Sequence, residues 1–272
     1  MVLVAQDVVL MPPSEAALKG KTASEPDGLR IRTRMTKHTL KLIMQGLVGG
    51  LVQVALFGIA LIIPAGLVAG GTWYWPRALM FLGLYAVILE ASVVTLALVA
   101  PVSLAARLRA PASRKQPVTD RVATAFLVLS TLAWFAFIPI DVFHLRLLPA
   151  PSLTVSLAGA ALSLAGQGIV MAAIYQNSYA IPIVEDQSDR AQVLVDTGLY
   201  GRVRHPFYLG LLLFYAGAAL WLESYASLLT LLVILLALLA RIAIEETTLR
   251  KTLPAYGTYV TRVPYRLVPL VW

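Results

Sequence analysis

The chain has 272 residues, 59% of them hydrophobic and 13% charged, with 22 Lys and Arg against 14 Asp and Glu for a formal net charge of +8. That balance excludes an ordinary soluble domain, in which about a quarter of residues are charged, and points to an integral membrane protein. Cysteine is absent, which excludes disulfides, thiol catalysis and cysteine-ligated metals.

The first 38 residues carry Pro12-Pro13, a polar middle and a basic end at Arg30, Arg32, Arg34 and Lys37. No charged stretch precedes an apolar core there, so they do not read as a signal peptide. They read as a largely disordered cytoplasmic tail, residues 1–38, whose basic end lies on the membrane surface.

Residues 39–176 read as four spans. Leu42 to Pro76 and Leu147 to Val184 contain no Asp, Glu, Lys or Arg, and each exceeds the roughly 20 residues a spanning helix needs. Ala78 to Ala106 is broken only by Glu90, and Val122 to Ile140 is also apolar. Glu90 is expensive in mid-span unless protonated or paired. Asp141, at the outer end of its span, is expected to reach water. Gln45, Gln53 and Gln167 suit bonding between helices, and Gly166-Gln167-Gly168 reads as a packing element.

Residues 177–272 differ in character. A polar loop with Glu185, Asp186, Asp189, Arg190 and Asp196 leads to Gly201-Arg202-Val203-Arg204-His205-Pro206-Phe207-Tyr208-Leu209-Gly210; loops of this length within a compact domain are often functional. Two apolar runs, Phe207 to Leu222 and Ser224 to Ala240, meet at Glu223-Ser224. Each is about 24 to 26 Å long as a helix, and together they read as a tight helical hairpin. The hairpin returns to Arg241-Ile242-Ala243-Ile244-Glu245-Glu246, so cationic and anionic clusters meet at one membrane face. Charged groups beside long apolar runs mark a site of function. The expected fold is thus all-α and polytopic, with about six hydrophobic segments: four spans, then the C-terminal hairpin.

Orientation follows from the basic residues, of which only Arg77 and Arg146 fall on the face opposite this cluster. The positive-inside rule then places both termini and the charged site in the cytoplasm. Basic loops beside anionic lipid account for the net charge, and nothing calls for nucleic acid. The three histidines, His38, His144 and His205, lack metal-ligand spacing.

The last third resembles the membrane methyltransferases typified by isoprenylcysteine carboxyl methyltransferase, with the phospholipid methyltransferases as relatives. The resemblance rests on Asn177, Gly198-Leu199-Tyr200, Arg204-His205-Pro206-Phe207-Tyr208-Leu209-Gly210, Arg241 with Glu245-Glu246 and Leu249, then Tyr256-Gly257, Tyr259, Val263-Pro264 and Pro269. Gly166-Gln167-Gly168 is also similar to a Gly-x-Gly used near the cofactor by phospholipid methyltransferases. The family implies S-adenosylmethionine as cofactor at a cytoplasmic site, and a hydrophobic or prenylated acceptor entering from the lipid bilayer.

On that resemblance the cofactor-binding residues are Tyr200, Arg204, His205, Tyr208, Glu245 and Glu246. Arg204 and His205 suit the cofactor carboxylate, and the glutamates its ammonium or ribose hydroxyls. The tyrosine rings suit the adenine or sulfonium. Arg241 and Glu246 are the catalytic candidates: Arg241 to orient an acceptor carboxylate with its fork, Glu246 as the base if the acceptor is an amine. Arg241 also lies one helical turn before Glu245, where an intrahelical ion pair is the plain structural alternative. A prenylcysteine-like carboxylate is the leading acceptor and phosphatidylethanolamine the alternative. Two other classes stay open: a nicotinamide-dependent membrane sterol reductase, which the C-terminal Val263-Pro264-Tyr265-Arg266-Leu267-Val268-Pro269 also resembles, and a non-catalytic membrane scaffold.

Overall fold

The computed structural model describes residues 27–108, 116–184, 187 and 192–272, with side chains from Lys37 onward. Every regular element among them is helical: α1 (Asp27–Leu67), α2 (Pro76–Val99), α3 (Pro101–Arg107), α4 (Val118–Ile140), α5 (Leu153–Gln176), α6 (Pro206–Trp221), α7 (Tyr225–Thr252) and α8 (Tyr256–Arg262). The chain divides into two units, Met1–His38 and Thr39–Trp272. Of the tail expected at 1–38, residues 1–26 lie outside the described residues, while 27–38 are helical.

Five helical stretches are long and apolar enough to cross a membrane: Lys37–Leu67, Pro76–Val99, Val118–Leu145, Leu153–Gln176 and Tyr225–Thr252. The sixth apolar segment, α6, has 16 residues and falls short of a full span. The protein is an all-helical polytopic membrane protein of the kind the composition implies. Its outer surface agrees with that reading, since α1 exposes Leu40, Met44, Val48, Val52, Leu56, Ile59 and Ile63, and α7 exposes Leu229, Leu232, Val233 and Leu236. Contiguous apolar faces on this scale belong in lipid.

Local sequence fixes the helix ends. Proline stands at the first helical positions of α2, α3 and α6, where its missing N–H costs nothing. Ser152 and Ser224 cap α5 and α7 by accepting from Val155 N and Ser227 N at 3.4 and 2.9 Å. Arg250 and Lys251 sit in the last turn of α7, the end that favours cations. Helix α4 contains Pro139 and runs into a π-helical turn, Asp141–Leu145, closed by Arg146 in the left-handed region at φ 47°.

That π-turn corrects the expectation for Asp141. The side chain does not reach water: Asp141 is 3% exposed, accepts from Ser224 Oγ at 2.6 Å and from Leu147 N at 3.0 Å, and ties α4 to the α6–α7 turn. Arg77 reinforces this end of the bundle. It donates to Trp221 O and pairs with Glu223 at 3.1 Å, while Trp221 Nε1 donates back to Arg77 O.

Helices α5 and α6 pack most closely. A Cβ on Gly159 would lie 2.9 Å from Gly217 O, and one on Gly210 would lie 2.8 Å from Gly166 O. Backbone meets backbone along this seam, as small residues allow between membrane helices. Gly166 is therefore a packing residue, as expected, whereas nothing lies within 4 Å of a Cβ at Gly168. Accordingly Gly210→Ala should destabilise the detergent-solubilised protein by about 1–3 kcal/mol through overpacking, while Gly168→Ala leaves its melting temperature unchanged. Equal melting temperatures for the two variants would contradict this seam. Of the span glutamines, Gln53 bonds between helices, donating to Tyr85 Oη at 2.7 Å. Glu90 rests against Gly50 with both carboxyl oxygens buried and, among the described residues, without hydrogen-bond partners.

Candidate active site

Antiparallel threading brings the end of α5, the start of α6 and the last turns of α7 to one end of the bundle, with the described residues of the 177–205 loop and the C-terminal segment against them. Arg204 and His205 precede α6, where Pro206 turns the chain. The C-terminal segment holds them in place: Arg204 N donates to Tyr265 O and His205 N to Arg266 O, both at 2.9 Å.

Glu246 lies at the centre of the charges. It is 4% exposed. Its Oε1 accepts from Arg204 Nε at 2.8 Å and lies 3.2 Å from His205 Nε2, and its Oε2 accepts from Arg266 Nε at 3.2 Å. Arg204 Nη1 donates to Val263 O at 2.8 Å and Pro264 O at 2.7 Å. A carboxylate that collects two guanidinium groups and an imidazole, while one guanidinium also holds the C-terminal backbone, locks loop, hairpin and C-terminus together, with charge-assisted bonds that are about twice as strong as neutral ones.

Glu245, one residue earlier, behaves differently. Its side chain is 30% exposed, accepts from Tyr208 Oη at 2.8 Å, and lies 3.9 Å from His205 Nδ1. The His205 imidazole stacks on Tyr208 with ring centroids 5.7 Å apart. Both nitrogens of His205 thus face a carboxylate.

A cleft of about 500 Å³, open to solvent, lies beside this network. Five of the six side chains assigned to cofactor binding line it, namely Tyr200, Arg204, His205, Tyr208 and Glu245; Glu246 stands behind them. Among the described residues Arg204 Nη2 makes no hydrogen bond, so it is a charged donor that this wall can offer an anion. Tyr259 Oη donates to Tyr200 O at 2.7 Å. Burial pushes the Tyr259 phenol up to about 12, against the pull of Arg204. Burial, and next the charge of Glu245, raises the Tyr200 phenol as well, so both remain neutral at physiological pH.

Arg241 lies elsewhere. It does not form the i, i+4 pair with Glu245 that the sequence spacing offers, and it is not among the residues lining the cleft. It is 4% exposed. Its Nη1 donates to Thr124 Oγ1 and to Pro182 O, each at 3.0 Å, and its Nη2 lies 3.5 Å from Asp120 Oδ1 on α4. A buried acid on a facing helix outweighs an exposed neighbour one turn along the same helix, because an uncompensated charge at Asp120 would be far costlier than a lost surface pair.

The sequence reading missed Asp120, Arg266, Tyr179 and Gln192. Asp120 carried a usable signal, since an acid in the first turn of an apolar span asks for a partner. Arg266 carried none, because its meeting with Glu246 depends on the path of the C-terminal segment.

Residues 154–256 match the family model described as Phospholipid methyltransferase, in agreement with the membrane methyltransferase family that the motifs resemble. The match runs from α5 to the first residue of α8 and includes Tyr200, Arg204, His205, Tyr208, Arg241, Glu245 and Glu246. Asp120 and Arg266 fall outside it. No curated protein matches the chain.

Proposed function

We infer, from a chain whose residues 154–256 carry the phospholipid methyltransferase pattern, that this protein methylates a lipid-like acceptor with S-adenosylmethionine at the cytoplasmic membrane face. The observation that carries the reading is the cleft itself, in which the free Nη2 of Arg204 and the exposed carboxylate of Glu245 lie on one wall with two tyrosines. The amino-acid end of the cofactor presents a carboxylate and an ammonium, which these two charges complement. Tyr200 and Tyr208 offer rings to the adenine or the sulfonium. Glu246 keeps Arg204 and His205 in place from behind. When bound, S-adenosylmethionine would supply an electrophilic methyl group to the acceptor's nucleophile, the electron pair of the broken carbon–sulfur bond staying with sulfur.

The lipid-like acceptor is supported by a second cavity, of about 870 Å³, between α2, α5 and α6. Its lining is almost wholly apolar, with Met80 and Leu84 at the exposed side and Phe81, Tyr85 and Phe214 buried behind. The polar groups around it are mostly spent on protein: Tyr85 Oη accepts from Gln53, Ser163 Oγ donates to Phe214 O, and Trp221 Nε1 to Arg77 O. Phe214 follows Tyr208 by about 9 Å along α6, a distance that the acyl chain of a lipid anchored at the cleft is long enough to span.

The acceptor's nucleophile is read from Arg241. A carboxylate acceptor was expected to use its guanidinium, which Asp120, Thr124 and Pro182 occupy. That commitment favours an amine, such as that of phosphatidylethanolamine. An amine must shed a proton before it attacks; Glu246, the expected base, is held by Arg204, His205 and Arg266, and Glu245 serves the cofactor ammonium, so that proton passes to solvent. Labelled methyl from S-adenosylmethionine should therefore pass to phosphatidylethanolamine at a rate that rises with pH between 7 and 9. A carboxylate is already ionised there and would give a flat profile. Transfer to a prenylcysteine analogue alone, with a flat profile, would return the acceptor to the carboxylate class.

A further inference from the structure

Among the described residues of the loop after α5, three are held by side chains from distant helices; Ala180 O accepts from Arg107 Nη1 of α3. Val184 N donates to Asp120 Oδ2 at 2.9 Å, and Pro182 O accepts from Arg241 Nη1 at 3.0 Å. Asp120 has no exposed surface. Its Oδ2 also accepts from Gln116 Nε2 at 2.7 Å, and Thr124 lies within bonding distance of both charged partners. Pro182 and Val184 flank Ile183, which is buried. Just before them, Tyr179, Ala180 and Ile181 form a wall of the cleft, and Glu245 and Leu249 of α7 line the same space. Backbone groups without secondary structure must find partners elsewhere, and for Pro182 and Val184 the partners are the two halves of one buried ion pair.

We propose that Asp120 and Arg241 are a positioning pair that fixes the 179–184 wall of the cleft, so that cofactor affinity depends on an ion pair that does not touch the cofactor. The proposal rests on the reading of the cleft as the S-adenosylmethionine site. Arg241 spans two elements at once, with α4 through Asp120 and Thr124 and with the loop through Pro182. Removing either charge leaves its partner buried and uncompensated, and the relief available is movement of the loop.

The test uses full-length, detergent-solubilised Asp120→Asn, the milder Thr124→Val, and the double variant Asp120→Asn/Arg241→Gln. In the absence of ligand, chymotryptic cleavage after Tyr179 should be faster in Asp120→Asn than in the parent protein. The Kd for S-adenosylhomocysteine and the KM for S-adenosylmethionine should both rise about tenfold, which corresponds to about 1.4 kcal/mol, while kcat changes little. The double variant should be no worse than Asp120→Asn, because the pair acts as a unit. A folded Asp120→Asn with unchanged cleavage and unchanged Kd overturns the proposal, as does a fall in kcat at constant KM. If Asp120→Asn does not fold, the same readouts on Thr124→Val decide in the same direction. Should the parent protein bind no S-adenosylhomocysteine, the cofactor reading fails on its own, and the cleavage rates still decide whether the pair holds the wall.

Discussion

Glu246→Gln is expected to be the most damaging single substitution in the molecule. The glutamine keeps the shape but loses the charge that faces Arg204, His205 and Arg266. Arg204 has 3% of its side chain exposed, so its guanidinium would remain buried beside a neutral amide. Breaking a buried pair from one side costs about 3–5 kcal/mol. The same change frees His205 and the C-terminal segment from α7, so the cleft loses its fixed cationic wall. Affinity for S-adenosylhomocysteine should fall by about two orders of magnitude or more, together with a marked drop in melting temperature. Unchanged melting temperature and affinity would remove Glu246 from the centre of the site.

Arg204→Lys should also be severe, although it conserves the charge. The arginine sends Nε to Glu246 and Nη1 to two main-chain carbonyls, Val263 and Pro264. A lysine ammonium cannot reproduce that fork and still present a further donor to the cleft. Each carbonyl left without a donor in a buried setting costs about 1–3 kcal/mol. The loss of the ligand-facing donor should weaken S-adenosylhomocysteine about 10- to 150-fold, as for one charge-assisted bond. Calorimetry on the folded variant measures this directly. A lysine variant that binds as tightly as the parent protein would show that the positive charge alone suffices and that the fork has no role in recognition.

The spans were legible because charge is so costly in lipid that its absence from Leu42 to Pro76 and from Leu147 to Val184 is itself a signal. The hairpin was legible from Glu223-Ser224, a polar pair between two apolar runs: Glu223 adopts φ 67° at the turn and Ser224 caps α7. Most of the cleft was legible too, since Tyr200, Arg204, His205, Tyr208 and Glu245 lie within or next to the motifs and meet at one end of the bundle.

What escaped the sequence depends on tertiary pairing. Spacing along α7 offers Glu245 to Arg241, but the facing helix places a fully buried Asp120 there, and the stronger demand for neutralisation prevails. Asp141 was misjudged for a similar reason. A position near the end of a span suggests access to water, yet the π-turn and the capping Ser224 close over it.

The central claim is that the cleft beside Arg204 and Glu245 is a site for S-adenosylmethionine, and calorimetric titration of the detergent-solubilised protein tests it most directly. S-adenosylhomocysteine should bind with one-to-one stoichiometry, and a reduced nicotinamide nucleotide should give no heat of binding. The nucleotide binding in place of S-adenosylhomocysteine would contradict the account in favour of a reductase, and binding of neither would contradict it in favour of a scaffold.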